Sequence, residues 1–318
     1  MHDDVILFQA LSDPTRLRLL MLLREMELAV GELAQVLGQS QPRISKHLKV
    51  LLDCGLIARR KEGNWVFLGL GAPALVGPLF ALLDQWAEVH GSNPWFAADA
   101  ARLSAINAER AAEAADYFKA HASEWDKLRA LHVPVTDVNA AILRALGDHR
   151  PRRLVDIGTG TGTMLLLFAD RAEQMIGIDR SPEMLRFGRA KLAEAGIVNA
   201  ELRQGDMSGI DLPSGSADTV ILHQVLHYAR HPGAVIAEAA RLLAADGCLL
   251  VVDIAPHEHE QLRRDHAHAR LGFSDGEVLA HLRAAGLDGE VADHLTGGAL
   301  TVTIWRATRP AARLRAVQ

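Results

Sequence analysis

The sequence has little cysteine, no long apolar run and no excess of positive charge. Its two cysteines, Cys54 and Cys248, lie far apart, which excludes a disulfide framework and fits a reducing cytosol. No apolar run approaches the roughly 20 residues that a membrane-spanning helix needs. The first ten residues are acidic and do not resemble a signal peptide. We therefore expect a soluble, cytoplasmic protein with no membrane partner.

The net charge of −5 excludes a chain that is basic throughout, so binding to nucleic acid must come from a local patch. Residues 43–61 contain such a patch, with six basic residues against one acid. The length of 318 residues favours two domains, and an apolar fraction of 49% is ordinary for globular proteins.

The first hundred residues predict a helix-turn-helix followed by a hairpin. Asp13 and Pro14 are typical of a helix start, and a short second helix over GELAQVLG ends at Gly38. Ser40 is predicted to cap the next helix. The segment IARRKEGNWVFLGL is typical of two strands joined by a turn at residues 62–64. The apolar positions of the third helix recur at intervals of four and three residues and predict its buried face: Ile44, Leu48 and Leu51.

The opposite face of that third helix is polar and basic. Such a face can enter the major groove of DNA, while a basic hairpin can reach phosphates. The alternative is a helical bundle with a solvated charged face, but the order of cap, turn and basic hairpin favours DNA binding. The candidate DNA contacts are Ser40, Gln41, Arg43, Ser45, Lys46 and Lys49 on the helix and Arg59, Arg60 and Lys61 on the hairpin.

These stretches resemble the ArsR-type (arsenic repressor) winged-helix family over residues 3–90. The matching segments are ALSDPTRLRLLMLL, GELAQVLGQSQPRISKHLKVLLDCGLI and ARRKEGNWVFLGL. The resemblance implies a homodimer that reads an inverted repeat in a double-stranded DNA operator and usually represses. It also implies a dimer contact made by the first helix and a helix after the wing. PALVGPLFALLDQWAEVH suits that later helix, with one side formed by Leu75, Leu79, Leu82, Leu83 and Trp86.

The family's metal-sensing sites are missing from this half. Arsenic sensors hold paired cysteines before the DNA-reading helix, whereas residues 27–33, ELAVGEL, contain no thiol. Cys54 alone cannot replace the pair, because soft metals need thiolates. The zinc site of related sensors needs closely spaced Asp and His, which Asp84 and His90 alone do not supply. We expect no metal inducer of the usual kinds.

The stretch GSNPWFAADA, residues 91–100, interrupts the apolar pattern and predicts a domain boundary. The Ala-rich, charged segment after it favours helix over a disordered linker. The predicted organisation is a winged-helix and dimerisation domain over 1–92, a helical connector and lid over 93–135, a second domain over 136–308 and a tail over 309–318.

The second part of the chain alternates strands and helices. RRLVDIGTGTGTMLLLFADRA predicts a strand, a glycine loop and a helix, and four more strands follow over QMIGID, AELRQ, DTVILH and GCLLVVDIA. This alternation predicts a doubly wound, Rossmann-like α/β sheet with its ligand crevice at the carboxyl ends of the strands. The glycine spacing GTGTG differs from the G-x-G-x-x-G of dinucleotide enzymes. The polar residues that end or follow strands are Asp156, Asp179, Asp206, His223 and Asp253.

The segments VDIGTGTG, GIDRS, GDM, DTVILHQVLHY and LLAADGCLLVVD resemble class I S-adenosylmethionine-dependent methyltransferases over residues 117–306. The resemblance implies that the ligand is S-adenosylmethionine or S-adenosylhomocysteine. It implies that the glycine loop passes the methionine part, that Asp179 holds the ribose, and that Asp206 binds the adenine amino group. The implied ligand contacts are Asp156, Gly158, Gly160, Gly162, Asp179, Arg180, Asp206, Met207 and His223.

The same resemblance implies that Tyr117 and Trp125 form a lid over the ligand, and that the last strands of the sheet are antiparallel. Methyl transfer also needs an acceptor pocket and, for most acceptors, a base within hydrogen-bond reach. The sequence does not single out that base. The candidates are His223, His227, Tyr228 and Asp253.

Four histidines lie within twelve residues near the end of the predicted sheet: His257, His259, His266 and His268. Imidazoles and neighbouring carboxylates suit zinc. On one helix, however, His257 and His268 are about three turns apart, too far to share an ion. We predict no metal site, and expect a charged helix whose histidines face water or close the acceptor pocket.

Three functions are compatible with these features. The first is a DNA-binding regulator whose second domain senses adenosyl ligands, resembling regulators of the methionine cycle that respond to S-adenosylhomocysteine. The second is a working methyltransferase for a small-molecule acceptor, fused to its own operator reader. The third is a DNA-binding protein with a ligand-free second domain, which the intact glycines and Asp179 disfavour. We prefer the first and keep the second as the alternative.

Overall fold

A computed structural model describes residues 4–62, 65–91, 93–106, 134–265, 268–296 and 299–309. The chain forms two compact units, Met1–Glu113 and Ala114–Gln318. The division falls inside the predicted connector, residues 93–135. The predicted lid residues Tyr117 and Trp125 lie outside the described ranges. The exact domain limits therefore stay a prediction. No helix in those ranges is long and apolar enough to cross a bilayer.

The first unit is a winged helix, as the sequence predicts. Its strands β1 (Leu28–Ala29), β2 (Ile57–Glu62) and β3 (Trp65–Leu70) form an antiparallel sheet in the order β1-β3-β2. Its helices are α1 (Asp4–Leu11), α2 (Pro14–Glu25), α3 (Val30–Leu37), α4 (Gln41–Asp53), α5 (Pro73–His90) and α6 (94–106).

Local chemistry sets the helix boundaries of this unit. Asp13 accepts two backbone hydrogen bonds at the start of α2, which satisfies donors that the helix itself leaves unpaired. Gly38 ends α3 with a left-handed φ of 63°. Ser40 is the N-cap residue of α4 as predicted, but its side chain makes no capping hydrogen bond. Pro42 in the first turn is therefore the remaining local start signal.

The core of the first unit contains the predicted face of α4. Ile44, Leu48 and Leu51 are buried in one cluster with apolar residues of α2 and α3. Leu103 of α6 belongs to the same cluster. The polar side chains of α4 are consequently turned away from the core.

The second unit contains a seven-stranded sheet in the order β6-β5-β4-β7-β8-β10-β9. The first five strands are parallel, and β10 is antiparallel to both of its neighbours, so the predicted class I methyltransferase architecture is confirmed. The strands are β4 (Arg153–Ile157), β5 (Gln174–Asp179), β6 (Ala200–Gln204), β7 (Ala217–His223), β8 (Leu243–Ile254), β9 (Asp288–Leu295) and β10 (Val302–Thr308).

The strand β8 begins four residues before the predicted segment GCLLVVDIA. Leu243 already pairs with Ala217 of β7, and the register shifts before the pairing continues at Cys248. Sequence patterns miss this start because the Asp-Gly pair at residues 246–247 is typical of a turn. Backbone pairing with β7 decides the outcome instead.

Helices cover both faces of the sheet, because neighbouring strand residues point to opposite sides. Val155 belongs to a cluster with α10 and α12, whereas Leu154 belongs to one with α7, α8 and α9. A 3-10 turn over Leu226–Tyr228 follows β7. The helices are α7 (Val135–Leu146), α8 (Thr163–Phe168), α9 (Pro182–Glu194), α10 (Pro232–Leu242), α11 (Gln261–Asp265) and α12 (Asp275–Ala284).

Candidate DNA-binding face and ligand crevice

The candidate DNA contacts on α4 all lie on its exposed side. Only one of their side chains forms an ion pair within α4: Lys49 Nζ lies 2.9 Å from Asp53 Oδ2, with both side chains exposed. An exposed pair of this kind contributes only about 0–1 kcal/mol, so the ammonium group stays available to a phosphate. The remaining candidates on this face are Ser40, Gln41, Arg43, Ser45 and Lys46.

The three basic residues of β2 do not share one face. Arg59 and Lys61 are exposed, but Arg60 donates to Glu27 over 2.8 Å and its guanidinium lies 4.9 Å from the centre of the Phe67 ring. Alternation along the strand is the cause, since adjacent side chains point in opposite directions. The prediction that Arg60 joins the other two at a phosphate therefore has no support in this geometry.

The glycine loop, residues 158–162, connects β4 to α8 in a conformation that requires glycine. Gly158, Gly160 and Gly162 have φ values of 72°, 53° and 79°, a region that other residues rarely adopt. A Cβ on Gly158 would lie 2.2 Å from Cγ2 of Val225. The loop can therefore bring its backbone close to a ligand, and it also packs on the segment after β7.

Asp179 at the end of β5 holds the glycine loop in place. One carboxylate oxygen accepts a hydrogen bond from the backbone N–H of Gly160, and the other from Ser181, both over 2.8 Å. Burial raises the pKa of Asp179, against the opposing effect of these backbone bonds. A carboxylate has about four acceptor sites, so Asp179 can also accept from a ligand hydroxyl. This bracing of the loop is a role that sequence reasoning missed.

The other predicted acidic contacts lie at the neighbouring strand ends. Asp156, at the end of β4, is 1% exposed. Asp206 follows β6 and is exposed. Neighbouring residues remove part of the hydration of the Asp206 carboxylate, which alone would raise its pKa, but hydrogen bonds from Ser208 hold the pKa below its usual value. Met207 packs against the core from a half-buried position, and Arg180 is exposed beside Asp179.

Another polar group lies at the carboxyl ends of β7 and β8. His227 Nδ1 is 2.7 Å from Asp253 Oδ1, and the ring of His227 lies 4.1 Å from Tyr228 and 4.2 Å from His268 between centroids. The predicted position of Asp253 on the crevice wall is not observed, because its side chain has no exposed surface. It accepts backbone hydrogen bonds from Leu226 and His227 instead. His223 ends β7 and is buried.

The four neighbouring histidines do not form one helix. The helix α11 spans only Gln261–Asp265, so the prediction of a single helical stretch is wrong. His257 and His259 lie near each other, with ring centroids 5.5 Å apart, whereas His268 packs on His227. His266 lies outside the described ranges. Within them, no three His, Cys, Asp or Glu side chains are grouped to hold a metal ion.

Comparison with known proteins identifies both units. Residues 13–59 match the family model described as "Bacterial regulatory protein, arsR family", and residues 148–293 match the model "Methyltransferase domain". Arsenic resistance transcriptional regulator ArsR1 of Pseudomonas putida is 36% identical over 106 residues, which are 31% of this chain and 76% of that protein. The family-model match at residues 13–59 includes the DNA-reading helix α4, Gln41–Asp53.

The second unit is similar to proteins of methyltransferase fold. "Uncharacterized methyltransferase YcgJ" of Bacillus subtilis is 30% identical over 127 residues, 37% of this chain, and the match spans 50% of that protein's length. The crystal structure of the YcgJ protein superimposes with a TM-score of 0.51 at 20% identity, covering 56% of this chain and 100% of that one. This likeness establishes the fold.

The two units together define a DNA-binding regulator domain fused to a methyltransferase domain. The chain belongs to the arsR family of bacterial regulatory proteins.

Proposed function

We propose that the protein is a transcriptional repressor that acts as a homodimer in the cytoplasm and senses S-adenosylmethionine and S-adenosylhomocysteine through its methyltransferase domain. One observation carries the proposal: Asp179 braces the glycine loop through Gly160, in a chain that also exposes a basic DNA-reading helix. The target genes that we propose are those of the methionine cycle, because the balance of the two ligands reports on that cycle.

The crevice fits an adenosyl ligand by its chemistry. The ribose hydroxyls would donate to the carboxylate of Asp179, and the adenine amino group would donate to Asp206. Carboxylates are the acceptors that form the stronger, charge-assisted hydrogen bonds. The glycine loop would pass the methionine part, with Asp156 near its amino group. Arg180, Met207 and His223 complete the proposed set of contacts.

Exposed apolar side chains on α1 and α5 support a homodimer. Large apolar groups on a monomer's surface often mark an interaction site. Only part of the predicted side of α5 is available for this purpose, because Leu75, Leu79 and Leu83 pack against the unit's own core. The exposed apolar residues of the two helices are Val5, Ile6, Phe8, Leu82, Trp86 and Val89.

Titration of each ligand against the preformed complex of the full chain and its own promoter DNA, at fixed salt, tests the sensor. A ligand changes DNA affinity only if it binds the DNA-competent and incompetent states differently. We expect S-adenosylhomocysteine to release DNA with a coupling factor of about 5 to 150. The sulfonium of S-adenosylmethionine differs in charge from the thioether, so this ligand acts less or in the opposite direction.

Reciprocity provides the internal control, since operator DNA must weaken the releasing ligand by the same factor. The variant Asp179→Ala is expected to bind operator normally and to lose the response. The sensor proposal fails if neither ligand shifts the DNA affinity of the wild-type protein by twofold.

A methyltransferase acting on a small molecule is the second candidate function. The observation that favours it is the buried hydrogen bond of 2.7 Å between His227 and Asp253. A histidine held by a carboxylate is a common arrangement for proton transfer. Formation of S-adenosylhomocysteine from S-adenosylmethionine and an acceptor tests this candidate.

A further inference from the structure

A cluster of polar side chains lies at the carboxyl ends of β7 and β8: His227, Tyr228, Asp253 and His268. His227 is 3% exposed and Asp253 is fully buried. Asp253 Oδ1 accepts from His227 Nδ1 and from the backbone N–H of Ile254, while Oδ2 accepts from the backbone N–H of Leu226 and His227. Burial of a carboxylate is costly unless it is well satisfied, and this one is satisfied by four donors.

These bonds determine where the proton of the imidazole lies. Every partner of Asp253 among the described residues is a donor, so the carboxylate acts as the acceptor and Nδ1 of His227 carries hydrogen. In a neutral imidazole the other nitrogen then has a lone pair. Within the described part of the chain, the bond to Asp253 is the one side-chain hydrogen bond that His227 makes. Its Nε2 is therefore set up to accept a proton.

The cluster also lies where a methyl acceptor would bind, next to the proposed adenosyl site. Apart from His223 at the end of β7, the proposed adenosyl contacts end or follow β4, β5 and β6. In the cluster, His227 and Tyr228 follow β7 and Asp253 lies at the end of β8, and these two strands come next to β4 in the strand order. Ligands bind where the strand order changes direction, which here is between β4 and β7. Val225, two residues before His227, packs directly against Gly158 of the glycine loop.

The backbone that leads to His227 is strained. Gln224 has a φ of 51°, a conformation that residues other than glycine rarely adopt. Its N–H donates to the carbonyl of Val252 over 2.7 Å, which ties the turn to β8. The carbonyl of His227 accepts from the N–H groups of Ala269 and Arg270. The position of the imidazole is thus set by the hydrogen bond of its ring to Asp253 and by the backbone hydrogen bonds of His227.

We propose that His227 Nε2 accepts the proton of a small protic acceptor, a phenol or an aliphatic alcohol or thiol, while that acceptor is methylated. This proposal rests on the second candidate function. The acceptor's oxygen or sulfur forms a bond to the methyl carbon, and the carbon–sulfonium bond breaks with its electron pair going to sulfur. The acceptor's proton passes to Nε2, and Asp253 stabilises the resulting imidazolium. Asp253 is a positioning residue that acts through His227.

Acceptors that differ in ionisation test this role with the full-length protein. Phenol is protonated at neutral pH and needs a base, whereas 4-nitrothiophenol is ionised and does not. Both are assayed with methyl-labelled S-adenosylmethionine. The variant His227→Asn keeps a donor toward Asp253 and removes the accepting nitrogen. The control His149→Asn alters an imidazole that bonds to Thr219 over 2.8 Å and precedes β4, at the amino ends of the strands and so away from the cluster.

We expect His227→Asn to lower kcat for phenol by about 100-fold or more, the usual scale of general base catalysis. Its KM for S-adenosylmethionine and its rate with the thiolate stay within threefold of the wild type, which also shows that the variant is folded. Asp253→Asn lowers kcat for phenol and shifts the pH–rate profile. His149→Asn changes neither rate.

Equal loss of both reactions in His227→Asn, or loss of neither, overturns the role of His227. If the wild-type protein methylates neither probe, this role and the second candidate function both fail. The regulator proposal is then unaffected, because the ligand titration of the DNA complex decides it separately.

Discussion

Arg18 on α2 donates two hydrogen bonds, of 2.6 and 2.7 Å, to the carboxylate of Asp99 on α6, which follows 81 residues later. Asp99 is 2% exposed and also accepts from Arg102 over 2.9 Å. This ion pair connects α6 to α2, and Leu103 of α6 packs in the core of the DNA-binding unit. The helix that leads toward the second unit is therefore part of the first unit rather than a loose linker.

The first prediction concerns this buried ion pair. Asp99→Ala leaves the partly buried guanidinium of Arg18 without its carboxylate. Loss of one member of a fully buried pair costs about 3–5 kcal/mol, which sets the upper limit here. Asp84→Ala is a matched control, because Asp84 makes the same two-bond pair with Arg24 but is 52% exposed. Asp84→Ala is expected to cost much less, because solvent screens an exposed ion pair. Thermal unfolding of both variants compares them, and equal losses contradict the prediction.

The second prediction concerns the DNA-reading face. Arg43→Ala is expected to reduce the preference for operator over unrelated DNA by about 1–3 kcal/mol, whereas Lys49→Ala weakens all sequences alike and lowers the salt dependence. On the wing, Arg59→Ala lowers the salt dependence in the same way. Arg60→Ala serves as its control, since Arg60 is engaged with Glu27. Binding isotherms at several salt concentrations check each variant, and indifference of binding to both α4 changes would refute the helix assignment.

The third prediction concerns the pH dependence of ligand binding. Burial raises the pKa of Asp179 above its usual value of 3.8, and the ribose hydroxyls need the ionised form as acceptor. Affinity for both adenosyl ligands is therefore expected to fall on acidification at a higher pH than an ordinary aspartate would produce. Calorimetry over a pH series measures this. Asp179→Ala is expected to lose tenfold or more in affinity, and the exposed Asp170→Ala is expected to lose none.

The fourth prediction concerns the packing of the glycine loop. Gly158→Ala places a methyl group 2.2 Å from a carbon of Val225 and strains the backbone, so adenosyl binding and the stability of the second unit are both expected to fall. Gly147→Ala is the control, because Gly147 has a φ of 59° and open space around its Cβ. It suffers the backbone strain alone. Calorimetry measures ligand affinity and thermal unfolding measures stability for both variants. If Gly158→Ala and Gly147→Ala lose the same amount of each, the contact with Val225 is unimportant.

Most helices and strands, and their order, could be predicted from local patterns in the sequence. Ile44, Leu48 and Leu51 show the buried side of α4 through their helical spacing, and the glycines of the 158–162 loop signal its position between a strand and a helix. These features are local, because periodicity and backbone conformation depend on residues close together in the chain. The winged-helix and methyltransferase folds could therefore both be predicted.

Which of the predicted polar residues share a surface depends on how the chain folds and could not be predicted from the sequence. Arg60 turns inward to Glu27, and Asp253 is withdrawn from the crevice to hold His227, although neither partner is a sequence neighbour. Asp179 braces Gly160 from the adjacent strand. Contacts of this kind form when strands pair and helices pack. The spacing of residues along the chain therefore does not predict which side chains will meet. A side-chain hydrogen bond forms only when the donor–acceptor distance is right to within a few tenths of an ångström. The folded backbone sets that distance.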